Sequence, residues 1–413
     1  MKLSITIILF LISTSVLSCN QSLHEEQFLL GSDVLVKENL HLLDGERVGI
    51  VCNKNSVLVN GVHLIDTLLS LGITIAAIYA LEHGFSLQFA DGVLIKNPNE
   101  KIKSIPVHSL YGKVKKPTEE MLTNIDIVLF DVQDVGARFY TYISSMFYIL
   151  QAAAENKIKV VILDRPNPIG GVVVDGPILI DKYKSFFGIA PIPILHGMTI
   201  GELAKLFTSE NYMASARPDV EIIKMKGWER YSYWDDLNIT WLPTSPNIPT
   251  FETALVYPGT CLIEGTNISE GRGTENPFLT IGAPFINPDK LISELQTEIS
   301  NGIEYSPIEF IPKEILGKAV KPKFEGEKCY GIIIKVTDKE KFSAIDFGLN
   351  LVYTLHKLYP DQFEFRENHF DLLTGNNKIR LSFEKGDSPD LIKKSWQKNL
   401  ENFKEIRNKY LLY

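Results

Sequence analysis

The sequence predicts an α/β protein: an open, mainly parallel sheet with helices on both faces, followed by a smaller α+β unit toward the C-terminus. Three observations carry this reading. From about Gly31 to Glu210, short β-branched runs alternate with segments of helical periodicity. Two of the runs, Ile127-Val128-Leu129-Phe130 and Val160-Val161-Ile162-Leu163, are apolar at every position, as strands are when helices cover both sheet faces. Strand-like runs also end in polar clusters, as expected where an open α/β sheet turns its carboxyl edge toward a ligand.

In chain order, strands are expected at 47–52, 73–81, 125–131 and 158–164, with helices at 64–71, 121–124 and 139–154 between or after them. A further helix is expected over 199–210, because Thr199 is a suitable N-cap and Glu202 stands at the capping-box spacing. The stretch Leu242-Pro243-Thr244-Ser245-Pro246-Asn247-Ile248-Pro249 can continue neither a helix nor a central strand. It sets the expected boundary between a first domain at 31–248 and a second at 249–413. The second is expected to hold a strand at 331–336, a helix at 343–358 and a charged C-terminal helix from about 389 to 410.

At the other end, Lys2 precedes an apolar run, 3–17, that is too short for a comfortable membrane span and reads as a signal peptide. Val16-Leu17-Ser18-Cys19 resembles the bacterial lipobox. The expectation is removal of residues 1–18, lipidation of Cys19, a polar tether at 19–30, and an exported lipoprotein in the periplasm or at the outer membrane. With 45% hydrophobic and 22% charged residues the remainder reads as globular. The full chain's net charge of −8 disfavours nucleic acid as a partner. Cys52, Cys261 and Cys329 lack metal-ligand spacing and argue against a disulfide framework.

The chemistry is expected at the strand ends. The 73–81 strand runs into Glu82 and His83. The 125–131 strand delivers Asp131, Gln133, Asp134 and Arg138, and the 158–164 strand delivers Asp164, Arg165 and Asn167. Three strands thus bring acids to one rim. A second cluster, Glu264-Gly265-Thr266-Asn267-Ile268-Ser269-Glu270-Gly271-Arg272-Gly273-Thr274, has the composition of a close-fitting polar ligand loop, in which glycines admit the ligand to the backbone and amides orient its hydroxyls.

Together with Phe130-Asp131-Val132-Gln133-Asp134-Val135-Gly136-Ala137-Arg138-Phe139-Tyr140-Thr141-Tyr142, Leu163-Asp164-Arg165-Pro166-Asn167-Pro168, His196-Gly197-Met198-Thr199-Ile200-Gly201-Glu202 and Ser245-Pro246-Asn247-Ile248-Pro249-Thr250, that loop resembles the exo-β-N-acetylmuramidase family. The resemblance runs from about Gly31 to the C-terminus. It implies a Rossmann-like domain joined to a smaller one, a site between them, and release of N-acetylmuramic acid from the non-reducing end of peptide-free peptidoglycan fragments. The one departure is Phe85-Ser86-Leu87 after Glu82-His83-Gly84, which bears on local sugar contacts.

Glycoside cleavage needs a proton donor and a second group at the oxocarbenium-like centre. Glu82, which matches the family's glutamate, is the expected general acid, and Asp131, Asp134, Glu264 and Glu270 compete for the second role. Arg138, Arg165 and Arg272 are candidates to read the lactyl carboxylate of muramic acid. His83 and His196 are candidate hydroxyl donors, and Tyr140, Tyr142 and Trp241 candidate stacking faces. Asp164, Asn167, Asn247, Thr266 and Asn267 complete the expected contacts. No cofactor or metal is called for. Two rival readings are a metal-dependent phosphoryl hydrolase and a non-catalytic glycan-binding lipoprotein. A missing G-x-x-x-x-G-K-[ST] loop weighs against the first and the intact Glu82 against the second.

Overall fold

The computed structural model describes residues 28–82, 104–210, 212–213, 217–298 and 301–413. The expected leader, Cys19, residues 19–27 of the tether and His83 lie outside them.

Strands β1 (Arg47–Cys52), β2 (Thr74–Ala80), β3 (Val107–Ser109), β4 (Ile127–Asp131), β5 (Lys159–Leu163) and β6 (Val220–Ile223) form one wholly parallel sheet. Their order is β3-β2-β1-β4-β5-β6, a doubly wound arrangement that reverses direction between β1 and β4. The apolar runs in β4 and β5 are explained by burial on both faces. Val128, Phe130, Val160 and Ile162 pack into one core beside helices Tyr142–Asn156 and Ile200–Ser209. Ile127, Leu129, Val161 and Leu163 pack into the other, under helices Gly31–Glu38 and Leu64–Ser70.

The smaller sheet is antiparallel, with β7 (Thr280–Ala283), β8 (Ile303–Phe310) and β9 (Cys329–Val336) in the order β7-β9-β8. Behind it, helices Phe251–Thr260 and Ala344–Leu358 meet at Gly259 and Gly348. A Cβ on Gly259 would stand 2.0 Å from the Ala344 carbonyl oxygen, so this crossing requires glycine. The core on one face of the parallel sheet continues into this second half through Phe278, Ile281, Ile332 and Phe347.

Two expected helices are corrected. Residues 121–124 make only a 3₁₀ turn, Glu120–Leu122, stopped by Asn124 in the left-handed region at φ 63°. The C-terminal helix divides into Pro389–Lys394 and Gln397–Arg407 around buried Trp396, whose indole N–H donates to Asp175 at 3.1 Å. The chain then returns to the first sheet, where Leu412 N donates to Glu202 at 2.8 Å and the Tyr413 hydroxyl to Asp164 at 2.8 Å.

Candidate active site

A cavity between the two halves is lined by Glu82, Tyr140 and Thr141 from one side and by Glu264, Arg272 and Phe278 from the other. Glu82 follows β2 at the carboxyl edge of the sheet. Its side chain is held from the neighbouring connection: Thr141 Oγ1 donates to Glu82 Oε2 at 2.5 Å, and the Tyr142 hydroxyl donates to the Glu82 carbonyl at 3.3 Å. Tyr111, past β3, also shares a hydrogen bond with the Glu82 carboxylate. Partial burial and that carboxylate push the Tyr111 hydroxyl up to about 12.

Glu264 stands in the 3₁₀ turn Cys261–Gly265 that continues helix Phe251–Thr260. Arg272 Nε and Nη2 both donate to Glu264 Oε1, at 2.8 and 2.5 Å, while among the described residues Oε2 takes only the weak Cys261 thiol at 3.4 Å. Burial works against ionisation of Glu264. The Arg272 guanidinium outweighs it, helped by His369 and Lys323, and holds the carboxyl below its ordinary range. Tyr257 forms an aromatic wall, its ring edge-on to Phe139 at 5.4 Å and to Phe278 at 4.9 Å. Phe278 sits at φ 63°, a conformation that costs a bulky residue roughly 1–3 kcal/mol, and it places its ring 5.2 Å from the Arg272 guanidinium.

The other strand-end acids do not reach this cavity, so the expected rim of three acids is corrected to Glu82 alone. Asp131 is fully buried and bound twice by Arg165, at 2.6 and 2.9 Å, which also occupies Arg165. Asp164 accepts from Thr199 Oγ1 and Gly201 N, both at 2.8 Å, and so fastens the start of the next helix. Asn167 bonds Met198 O and Ile169 N. Arg138 is buried and spends both terminal nitrogens on carbonyls of Pro177, Ile192 and Leu373, the last tying the two halves together at 2.7 Å. Burial lowers its guanidinium to about 9.

In the second half, Glu270 is buried 3.0 Å from Lys323 and 3.4 Å from Arg272, behind Glu264. Thr266 bonds Ile263 O within its own loop, whereas Asn267 bonds Gln362 O and Glu364 N and Asn247 bonds Lys318 O, each tying its loop to a distant segment. Trp241 packs edge-on to Trp234 at 5.1 Å. Of the expected site residues among the described ones, Glu82, Tyr140, Glu264 and Arg272 line the cavity.

Residues 48–252 match the profile described as exo-β-N-acetylmuramidase NamZ, N-terminal, and residues 255–413 match its C-terminal counterpart. The chain belongs to the NamZ exo-β-N-acetylmuramidase family. It is 43% identical over 398 residues to the peptidoglycan β-N-acetylmuramidase NamZ of Bacillus subtilis, covering 96% of this chain and 94% of that one. Two solved DUF1343 family proteins from Bacteroides fragilis share the fold, with TM-scores of 0.85 and 0.75 at 32% and 35% identity. In both cases 94% of this chain and 99% of the other are covered. The expected family and two-part α/β architecture are therefore borne out.

Beneath the family's long Asp131 to Tyr142 string lies a buried titratable pair. Asp134 Oδ2 accepts from Gly136 N at 2.8 Å and stands 3.8 Å from His196 Nε2, while its Oδ1 has no hydrogen-bond partner among the described residues. Burial pushes the Asp134 carboxyl up from 3.8 to about 7 and lowers His196 to about 3. The folded state thus keeps a proton on Asp134 that the unfolded chain releases above pH 3.8, and its contribution to stability is lost as pH rises through about 7. Asp134→Asn removes this titration. Its unfolding free energy relative to wild type is expected to climb by roughly 4 kcal/mol across that window in denaturant titrations. A difference that is flat with pH would show that Asp134 titrates alike in both states.

Thr141, Tyr111, Ser245, Tyr257, Phe278 and His369 belong to the site or touch its charges, and none was singled out by sequence reasoning. Thr141 and Ser245 lie inside quoted family strings, and that is the only signal that marks them.

Proposed function

We propose that this chain is an exo-acting glycoside hydrolase that releases N-acetylmuramic acid from the non-reducing end of peptide-free peptidoglycan fragments in cell-wall turnover. The observation that carries it is one cavity holding a carboxyl from each half, Glu82 and Glu264, with Arg272 as its only lining cation among the described residues. Glu82, oriented by Thr141, is assigned to protonate the leaving oxygen. Glu264, kept ionised by Arg272, is assigned to face the oxocarbenium-like centre. Arg272 Nη1 has no protein partner among the described residues, whereas Nε and Nη2 are committed to Glu264. This free nitrogen is assigned to the lactyl carboxylate.

The test compares chromogenic β-muramide with the β-glucosaminide that lacks the lactyl group. The muramide is expected to be far better, because the glucosaminide leaves a desolvated guanidinium nitrogen unpaired. Arg272→Met is expected to erase most of that preference, a loss of about 10- to 150-fold for one charge-assisted hydrogen bond. Arg272→Lys should restore part of it. Equal rates of the wild type on both substrates would overturn lactyl recognition.

The metal-dependent alternative meets a specific obstacle. Asp131, Asp164 and Glu82 are held apart by different partners, and among the described residues no three His, Cys, Asp or Glu side chains converge as ligands. We also infer export and tethering through Cys19, which the short apolar leader and the Leu17-Ser18-Cys19 sequence support. Labelling with a radiolabelled fatty acid, lost in Cys19→Ser, tests it.

A further inference from the structure

A second cavity, of about 350 Å³, opens at the carboxyl ends of β1, β4 and β5, beside the point where the strand order reverses. Open α/β sheets place ligands at this point, and the volume is within the range of small-molecule sites. Residues 242–245 separate it from the catalytic cavity, Leu242 lining the one and Ser245 the other. That wall is fastened from both sides. Asn55 Nδ2 donates to Pro243 O at 2.7 Å, and the Tyr140 and Tyr142 hydroxyls donate to Thr244 O at 2.9 and 3.2 Å.

The chemistry here argues against a phosphate ligand, the usual occupant at such a position. The turn after β1 spends its amides on itself: Asn55 N bonds Asn53 Oδ1, Ser56 N bonds Asn53 O, Val57 N bonds Asn55 O and Leu58 N bonds Val62 O. Val59 N is committed to the Asp33 carboxylate, itself an obstacle to an anion. Arg165, the one cation lining the cavity among the described residues, is already balanced by the two bonds to Asp131.

What remains suits a neutral, amphipathic ligand. Trp234, Ile239 and Leu242 supply apolar surface. Arg165 Nη1 is a donor with no protein partner among the described residues. Gln133, only 3% exposed, gives its N–H groups to Asp134 O and Pro166 O, and its acceptor Oε1 has no partner among the described residues. A ligand that answers both needs carries a carbonyl and an N–H, the two ends of a secondary amide, on a body with an apolar face. We propose that this cavity binds a neutral N-acetylated sugar, the chemistry of the N-acetylglucosamine left when N-acetylmuramic acid is released. The choice of that sugar rests on the hydrolase reading above.

The experiment is ligand-observed NMR of N-acetylglucosamine with the whole chain, the catalytic cavity being saturated with N-acetylmuramic acid. Saturation transfer is expected to persist, to be absent for glucose, to resist competition by inorganic phosphate, and to weaken at least about tenfold in Thr240→Trp, which fills the cavity from an exposed lining position. Val59→Trp is a second filling variant should the first fold poorly. Both are expected to hydrolyse the chromogenic β-muramide within about twofold of wild type. Complete displacement of the signal by N-acetylmuramic acid, equal binding of glucose, or undiminished binding in both variants would each overturn the second site. A chain that binds N-acetylglucosamine in this way but does not cleave the muramide would overturn the hydrolase reading and leave the second site standing.

Discussion

Glu82→Gln is expected to lower kcat on the natural disaccharide by about 10²- to 10⁴-fold, the usual worth of a general acid, with little change in KM. The substitution is nearly isosteric. The amide oxygen can still accept from Thr141 Oγ1, which now bonds Oε2 at 2.5 Å, so fold and ligand binding should survive. What is lost is the proton for the leaving oxygen. A nitrophenyl leaving group needs that proton less, so the activated substrate should be partly spared and the disaccharide should not. The check is a pair of steady-state assays on the two substrates. If the variant cleaves the disaccharide at near wild-type rate, Glu82 is a binding or structural residue, and Thr141 orients nothing of chemical consequence.

Much of the first half was legible in the sequence because its signals are local. Val48, Ile50 and Val51 announce β1, the Thr199 and Glu202 capping box appears as expected, and Ser343 caps the long helix of the second half. The strands β3 and β6 gave no such signal, because each is short and lies at a sheet edge, β3 mostly exposed and β6 largely half-exposed. In β8 the run is interrupted by Pro307 and mostly solvated. The site was legible to a similar degree. Glu82, Glu264 and Arg272 stand where strand-end and glycine-rich-loop arguments place them. Asp131 and Asp164 occupy the same kind of position but are consumed by partners 34 and 35 residues away, Arg165 and Thr199, and pairing of that kind is invisible to a reading of one segment at a time. Tyr257 and Phe278 belong to the core, and only the fold shows that this part of it is also the wall of a cavity.

Glu264→Gln separates the two carboxyl roles. Its loss is expected to be about 10²- to 10³-fold in kcat, of the size seen when a preorganised charge facing the transition state is removed. Unlike Glu82→Gln, it should slow the nitrophenyl muramide and the disaccharide equally, because a group facing the anomeric centre acts the same way whatever leaves. Arg272 would keep a neutral acceptor at the former Oε1 and its 3.4 Å neighbour Glu270, so the guanidinium should stay in place and the preference for muramide over glucosaminide should persist. The combined readout is therefore a fall in kcat on both substrates with specificity retained. If the activated substrate is instead spared, Glu264 is acting as the proton donor. If both rates survive, the second carboxyl must be Glu270, which would first have to be freed from Lys323 at 3.0 Å.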